Sequence, residues 1–337
     1  MSLPTRKIGQ TEVSAIGYGA MGISRFYGEV TQTDEERFAL LDAVYANGCK
    51  FIDTADAYGD SEELLGKWFK RTGNREDIFL ATKFGFTTDP NRRVDGRPAH
   101  VRAAAEGSLK RLGVDQIDLY YLHRADPQEP IENTVGAMAE LVKEGKVKYL
   151  GLSECSAATL RRAHAVHPIA ALQVEYSPFT LDIEDPAVAL LQTARELGIA
   201  IVAYAPLGRG MLTGQFRGPE DFGPGDFRLT VARYSKENFP NILRLADGLK
   251  EIGEKHSATA GQVALAWLLA QGDDILPIPG TRSVKYLQEN LGAAKVQLTP
   301  EDLSEVRKVA LAADVAQGGS RYPPGSDKLL FGDTPSL

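Results

Sequence analysis

The chain has 337 residues, 43% of them hydrophobic and 25% charged, which exceeds the smallest domains but suits one large α/β domain with a sizeable core. Its net charge of −7, with acidic and basic residues intermixed, points away from nucleic acid and anionic membrane surfaces as partners. Two distant cysteines, Cys49 and Cys155, read as buried hydrophobes in a reducing compartment, and no stretch suits a signal peptide or a membrane span, so the expected location is cytoplasmic.

Strand and helix signals alternate along most of the chain. Leu3–Ile8 and Glu12–Ile16, joined by Gly9-Gln10-Thr11, look like a hairpin placed to plug the bottom of a barrel. A first strand ends near Tyr18, and a helix follows from Asp34, with Thr33 and Glu36 at capping-box spacing. The second strand ends at Asp53 and leads to a helix over Ser61–Arg71 with Leu64, Leu65 and Trp68 on one face. The third ends at Lys83, and after an Arg-rich loop a helix spans His100–Leu112. The fourth ends at His123 and precedes a helix at Ile131–Glu144. Strands at Val147–Ser153, Ala171–Glu175 and Ile199–Tyr204 follow, with helices at Ala157–Ala165 and Ala187–Leu197 between them. Helices at Asn241–Lys255 and Thr259–Ala270 lead to an eighth run, Ile275–Ile278, whose prolines weaken the strand signal.

Eight such units fit a (β/α)8 TIM barrel with an N-terminal β-hairpin and an extra C-terminal helix and loop better than an open sheet. With no internal linker and no repeat beyond the βα period, residues 1–337 are expected to form one barrel-type domain. The stretch from Pro206 to Pro240 is rich in Gly, Pro, Phe and Arg without periodicity, and a loop of that length is usually a lid or clamp.

Gly17-Tyr18-Gly19-Ala20-Met21-Gly22 matches G-x-G-x-x-G, but the residues that follow read as loop until the helix after Thr33, and Asp42 falls inside that helix. A dinucleotide fingerprint needs a helix opening at the loop and an acidic residue ending the next strand, so the match is a decoy. Its glycines still allow close backbone approach at a barrel rim.

The chemistry gathers elsewhere. Asp53, Lys83 and His123 each end an apolar run, where a charge is costly unless it faces a cleft or a partner, and Tyr58 follows Asp53 in the same loop. Tyr58 is a candidate proton donor whose pKa, about 10 in isolation, a cation such as Lys83 can lower. Asp53 could hold Lys83 charged and oriented, and His123 could polarise a carbonyl by hydrogen bonding. Taken singly, each has a blander account: a buried ion pair, a satisfied core histidine, a rim aromatic. Four at successive strand ends favour a site. His100, His164, His167 and His256 show no ligand spacing, and no metal is expected.

The segment Phe51-Ile52-Asp53-Thr54-Ala55-Asp56-Ala57-Tyr58-Gly59 resembles the signature of the aldo-keto reductase superfamily. Ala81-Thr82-Lys83 and Leu122-His123-Arg124 are similar to its lysine and histidine segments. Ile278-Pro279-Gly280-Thr281-Arg282 with Glu289-Asn290 resembles its cofactor-binding end, and these segments span about nine-tenths of the chain in family order. The resemblance implies a nicotinamide cofactor, NADPH (NADP), delivering hydride to a small aldehyde or ketone. It makes Tyr58 the acid, with Lys83 and Asp53 tuning it and His123 orienting the carbonyl.

By the same resemblance Gly19, Ala20 and Met21 form the first cofactor loop, Ser153 and Gln173 bond the nicotinamide carboxamide, and Tyr204 stacks on its ring. Pro206, Leu207, Gly208, Arg209 and Gly210 clamp the pyrophosphate. Thr281 and Arg282 sit just before a helix near Val284, a phosphate site that favours the 2′-phosphate of NADP. Two departures stand out. Glu154 replaces the usual Asn after Ser153 and cannot donate as an amide does, and Tyr286 stands where Arg is frequent. Position alone offers Phe26, Tyr27, Phe84 and the tail from Gln317 to Leu337 as substrate contacts. Two other classes compete: a Schiff-base lyase with Lys83 as nucleophile, testable by borohydride trapping, and a non-catalytic NADPH-binding subunit, testable by tight binding without turnover.

Overall fold

The computed structural model describes residues 3–25, 30–316, 318–323 and 325–337, with 314–316 as backbone alone. An antiparallel hairpin, β1 (Thr5–Ile8) and β2 (Thr11–Ser14), precedes eight parallel strands in sequential order. These are β3 (Tyr18–Gly19), β4 (Phe51–Asp53), β5 (Phe79–Phe84), β6 (Ile117–Leu122), β7 (Val147–Ser153), β8 (Ile169–Glu175), β9 (Ala200–Tyr204) and β10 (Ile275–Pro277). The helices are α1 (Met21–Ser24), α2 (Asp34–Ala46), α3 (Ser61–Thr72), α4 (Pro98–Leu112), α5 (Ile131–Lys143), α6 (Ala157–Val166), α7 (Leu190–Glu196), α8 (Phe239–Lys255), α9 (Ala260–Leu269), α10 (Val284–Gly292) and α11 (Pro300–Ala316). No described helix is long and apolar enough to cross a membrane.

The sheet closes on itself. Gly17 N donates to Pro277 O at 3.0 Å and Gly19 N to Pro279 O at 3.2 Å, so the chain beside β3 joins the last strand. That seam is tight enough to require glycine: a Cβ on Gly19 would lie 2.7 Å from Ile278 O, and one on Gly280 would lie 2.7 Å from Gly19 O. The prolines of the last run are compatible with this role. Ile278 N bonds Ala203 O on β9 at 3.0 Å, whereas Pro277 turns its carbonyl, and with it the position of its missing N–H, toward the seam.

Local chemistry explains most element boundaries. Thr33 and Glu36 form the expected capping box of α2, and Thr259 with Gln262 forms another on α9. Helix α4 starts at Pro98, two residues earlier than the sequence pattern places it, because proline suits a first helical turn. Helix α7 starts later, at Leu190, because the Asp185 carboxylate accepts Ala187 N at 2.8 Å and Ala189 takes a left-handed φ of 51°.

Residues on the strands alternate between two cores. Leu80, Tyr120, Leu150, Leu172 and Ile201 face the helices, whereas Phe51, Phe79, Leu119, Tyr121, Ala171, Val202 and Leu276 fill the barrel axis. Ile8 and Val13 of the hairpin join that axial cluster, so the hairpin does plug the floor. Its turn is moored by Tyr149, whose hydroxyl accepts from Gln10 N at 3.2 Å and lies 3.0 Å from Thr11 Oγ1.

The stretch after Pro206 is ordered without strands or long helices. It forms short 3-10 turns at Gly208–Thr213, Pro219–Asp221, Phe227–Thr230 and Ala232–Tyr234. Arginines hold it: Arg228 bonds Asp226 at 2.7 Å, and its guanidinium lies 4.3 Å from the ring centres of both Phe216 and Phe222.

Ile8 is fully buried at the barrel floor, so Ile8→Ala should lower unfolding stability by about 2–5 kcal/mol. A shift of the urea midpoint to lower concentration measures it, and an unchanged midpoint would show that the hairpin does not seal the axial core.

Candidate active site

The inward alternation that fills the barrel continues to its upper rim, where the residues become polar. On β4 the step from Phe51 ends at Asp53, and on β5 the inward residues Phe79 and Ala81 lead to Lys83. On β6, Leu119 and Tyr121 lead to His123, one residue past the strand. Ser153 on β7, Gln173 on β8 and Tyr204 on β9 occupy the corresponding ends. A cavity of about 590 Å3 opens above them, lined by Asp53, Tyr58, His123, Ser153, Gln173 and Tyr204.

The four charge-bearing candidates do meet. Lys83 has no exposed surface; its Nζ makes a short contact with Asp53 Oδ1, donates to Thr54 O at 2.7 Å and lies 3.4 Å from the Tyr58 hydroxyl. Gln173 Nε2 donates to the second oxygen of Asp53 at 2.8 Å. The rings of Tyr58 and His123 meet edge-on, 5.7 Å apart at 80°. Lys83 itself does not line the cavity; it stands behind Tyr58 and Asp53.

Burial dominates the electrostatics. It pushes the Asp53 carboxyl up and the Lys83 amine down, while their mutual contact opposes both changes. Burial, followed by repulsion from Lys83 and Arg124, holds the His123 imidazole well below its ordinary value, so the ring is neutral near pH 7. The Tyr58 phenol is raised well above its ordinary value, first by burial and then by the Asp53 charge, with Arg124 opposing. The net lowering expected from a neighbouring cation is not seen: burial outweighs the opposing Arg124, and Tyr58 is a protonated donor.

The remaining lining supplies a set of donors and cations. Gly19 and Met21 border the cavity, as do Pro206, Leu207, Arg209 and Gly210 after β9. Ile278, Gly280, Thr281, Arg282, Glu289 and Asn290 complete that end. Arg282 sits just ahead of α10, its Nε directed to Gly22 O, and Tyr18 anchors the same turn by donating to Thr281 O at 2.8 Å. A hydroxyl, an amide, a flat phenol ring and the guanidinium groups of Arg209, Arg228 and Arg282 fit a phosphorylated dinucleotide lying across the rim.

The profile of the aldo/keto reductase family matches residues 15–311. The chain belongs to that family. It is 64% identical over 320 residues to aldo-keto reductase str7 of Strobilurus tenacellus, covering 94% of each chain. It is 50% identical to aldo-keto reductase yakc [NADP(+)] of Schizosaccharomyces pombe, over 100% of this chain and 99% of that one. Among solved structures, the glycerol dehydrogenase AKR11B4 of Gluconobacter oxydans superposes with a TM-score of 0.83 at 27% identity, over 95% of this chain and 98% of that one. The thermostable aldo-keto reductase Tm1743, solved with the inhibitor epalrestat, gives 0.74 at 31% identity, over 91% and 100%.

In this family member several expected contacts are corrected. Phe84 does not reach the cavity: it faces the helices, fully buried, and stacks on Tyr120 at 4.9 Å. Strand alternation puts it opposite Lys83, and Phe86 takes its place after Gly85 turns the chain at φ 125°, packing 4.7 Å from the His123 ring. Ala20 and Gly208 lie beneath the lining rather than in it. Phe26 and Tyr27 fall outside the described residues. The glycine-rich loop does open a helix, the single turn α1, although the closed barrel excludes a dinucleotide-binding open sheet.

Glu154 is no cofactor contact either. It is fully buried at a left-handed φ of 51°, and its carboxylate accepts from the Tyr204 hydroxyl at 2.8 Å and Glu175 N at 3.0 Å. Arg321 of the tail pairs with it at 3.4 Å and with Glu175 at 3.3 Å, bringing Tyr322, Pro323, Ser326 and Leu329 into the cavity wall. Arg124 had no role assigned from sequence, although it directly follows His123. It is 6% exposed and lines the cavity.

His123 binds a proton below about pH 6.5 when unfolded but resists it when folded, so the unfolded state holds the extra proton and stability falls as pH drops below that value. Urea titrations of the wild type and His123→Asn should give a stability difference that is flat above about pH 7. Below about pH 6 the wild type should lose ground by up to about 1.4 kcal/mol per pH unit. A flat difference down to pH 5 would mean that the folded ring protonates normally.

Proposed function

We propose that this oxidoreductase reduces aldehydes or ketones to alcohols with NADPH, using Tyr58 as general acid. The observation that carries the reading is the Tyr58 hydroxyl, which lines the cavity beside a neutral His123 and lies 3.4 Å from the buried Lys83 amine. When bound, NADPH supplies the hydride. Tyr58 donates a hydrogen bond to the carbonyl oxygen and gives up its proton as negative charge develops there. Lys83 stabilises the phenolate left behind, and Asp53 keeps Lys83 in place through their contact. An N–H of the neutral His123 ring orients the same oxygen.

Ser153 and Gln173 hold the nicotinamide carboxamide, Tyr204 offers its ring face, and Arg209 closes over the pyrophosphate. Arg282, at the start of α10, takes the 2′-phosphate. The NADP(+) in the name of the yeast relative supports that choice. Imine formation at Lys83 is disfavoured because the amine has no exposed surface and three oxygen neighbours. We read residues 1–337 as one barrel-type domain working in the cytoplasm, a compartment consistent with two buried free cysteines.

Steady NADPH oxidation with 4-nitrobenzaldehyde should fall by about 10²–10⁴ in kcat in Tyr58→Phe while NADPH binding persists. Tight NADPH binding by the wild type with no turnover across a broad aldehyde panel would favour a binding subunit instead. Arg282→Gln should raise the KM for NADPH by roughly ten- to a hundredfold and affect NADH little. Equal effects on both coenzymes would remove Arg282 from the 2′-phosphate.

A further inference from the structure

Arg124 lines the cavity wall but has no part in the reduction as proposed. The residue is only 6% exposed, and a buried cation is costly unless an opposite charge meets it. Yet its direct contacts are all neutral; one carboxylate, Glu154, acts on it only through the Tyr204 and Tyr322 hydroxyls and is itself paired with Arg321. NH1 donates to His123 O at 2.7 Å and to Ser153 Oγ at 3.2 Å, and NH2 donates to the Tyr322 hydroxyl at 3.2 Å. Among the described residues it forms no ion pair, in contrast to the buried Lys83, Arg209, Arg228, Arg233 and Arg321, each of which has a carboxylate partner. Three neutral bonds occupy three of five N–H donors and fix the group between the rings of Phe86, at 5.9 Å, and Tyr322, at 5.8 Å.

A second cation, the solvent-exposed Arg93, stands at the rim. Arg93 lines this end of the cavity, its NH2 3.3 Å from Ser326 Oγ. The two carboxylates in the lining are committed elsewhere: Asp53 to Lys83 and Gln173, and Glu289, at the opposite end with Arg282, to Thr259 at 2.8 Å. The surroundings of Arg124 are otherwise apolar, with Phe86, Phe227 and Leu329. A buried cation that faces a cavity with no carboxylate in direct contact attracts anions.

We propose that Arg124, assisted by Arg93 and held in place by Tyr322, is an anion subsite, and that the substrate class is carbonyl compounds bearing a carboxylate on an apolar body. The carboxylate supplies the direct ion pair that Arg124 lacks, and the carbonyl is left at Tyr58 and His123. The inference rests on the reductase reading, and the test separates the two.

The full chain with NADPH is assayed on 3- and 4-carboxybenzaldehyde and on their methyl esters, in which a methyl group replaces the charge. The wild type should prefer at least one acid over its ester by roughly ten- to a hundredfold in kcat/KM, mostly through KM. Arg124→Gln should collapse that ratio, and Arg124→Lys should restore part of it. Reduction of esters and acids at equal efficiency by the wild type would overturn the subsite while leaving the reductase reading intact, as would a ratio that survives Arg124→Gln. If no aldehyde is reduced, the reductase reading fails. Calorimetry of benzoate against benzamide on the NADP-loaded protein then decides the subsite, which is upheld by preference for benzoate and overturned by equal or weaker binding of it.

Discussion

A lysine without exposed surface is tolerable only where another group meets its charge, and at Lys83 that group is Asp53. Much of the upper rim is arranged around this contact. Gln173 holds the far oxygen of the carboxylate, Thr54 takes a second donor of the amine, and the backbone oxygen of Asp53 accepts Ala20 N at 2.8 Å. The pair therefore links β4, β5 and β8 with the glycine-rich loop and leaves the third direction of the amine to Tyr58. Removing either partner would strand a charge in the barrel, so the pair ties the stability of the rim to the shape of the cavity above it.

The barrel was legible in the sequence because each unit carries its own signals: a short apolar run, a cap or turn residue, and an amphipathic stretch. The site was legible for a related reason. Asp53, Lys83 and His123 break apolar runs at the same relative place, and a parallel barrel turns equal places on successive strands into neighbours. Phe84 shows the limit of arguing from nearness in the chain, since a period of two sends it to the opposite face from Lys83. A strand's alternation, once its inward residues are identified, corrects such an assignment.

Other parts depend on contacts between distant segments and leave little local trace. The order in the stretch after Pro206 comes from guanidinium groups clasped by aromatic rings and carboxylates, and none of this has a period. Arg124 gave no signal beyond its place after His123; that it is buried with only neutral groups in direct contact emerges only in the assembled wall. Glu154 likewise looked like a defective amide, whereas it is a buried anchor that receives a phenol from β9 and a guanidinium from the tail.

That anchor has a consequence for how such enzymes diverge. The last stretch of chain contributes Tyr322, Pro323, Ser326 and Leu329 to the mouth, yet its described residues add no strand to the barrel and are tied down by Arg321, by Gly332 N on Glu154 O at 2.9 Å and by Arg162 on Thr334 O at 2.9 Å. Part of the cavity mouth thus comes from a stretch of chain separate from the strands. Evolution or an engineer can recut the entrance by exchanging a terminal segment that keeps those few moorings, without reopening the question of whether the barrel will fold.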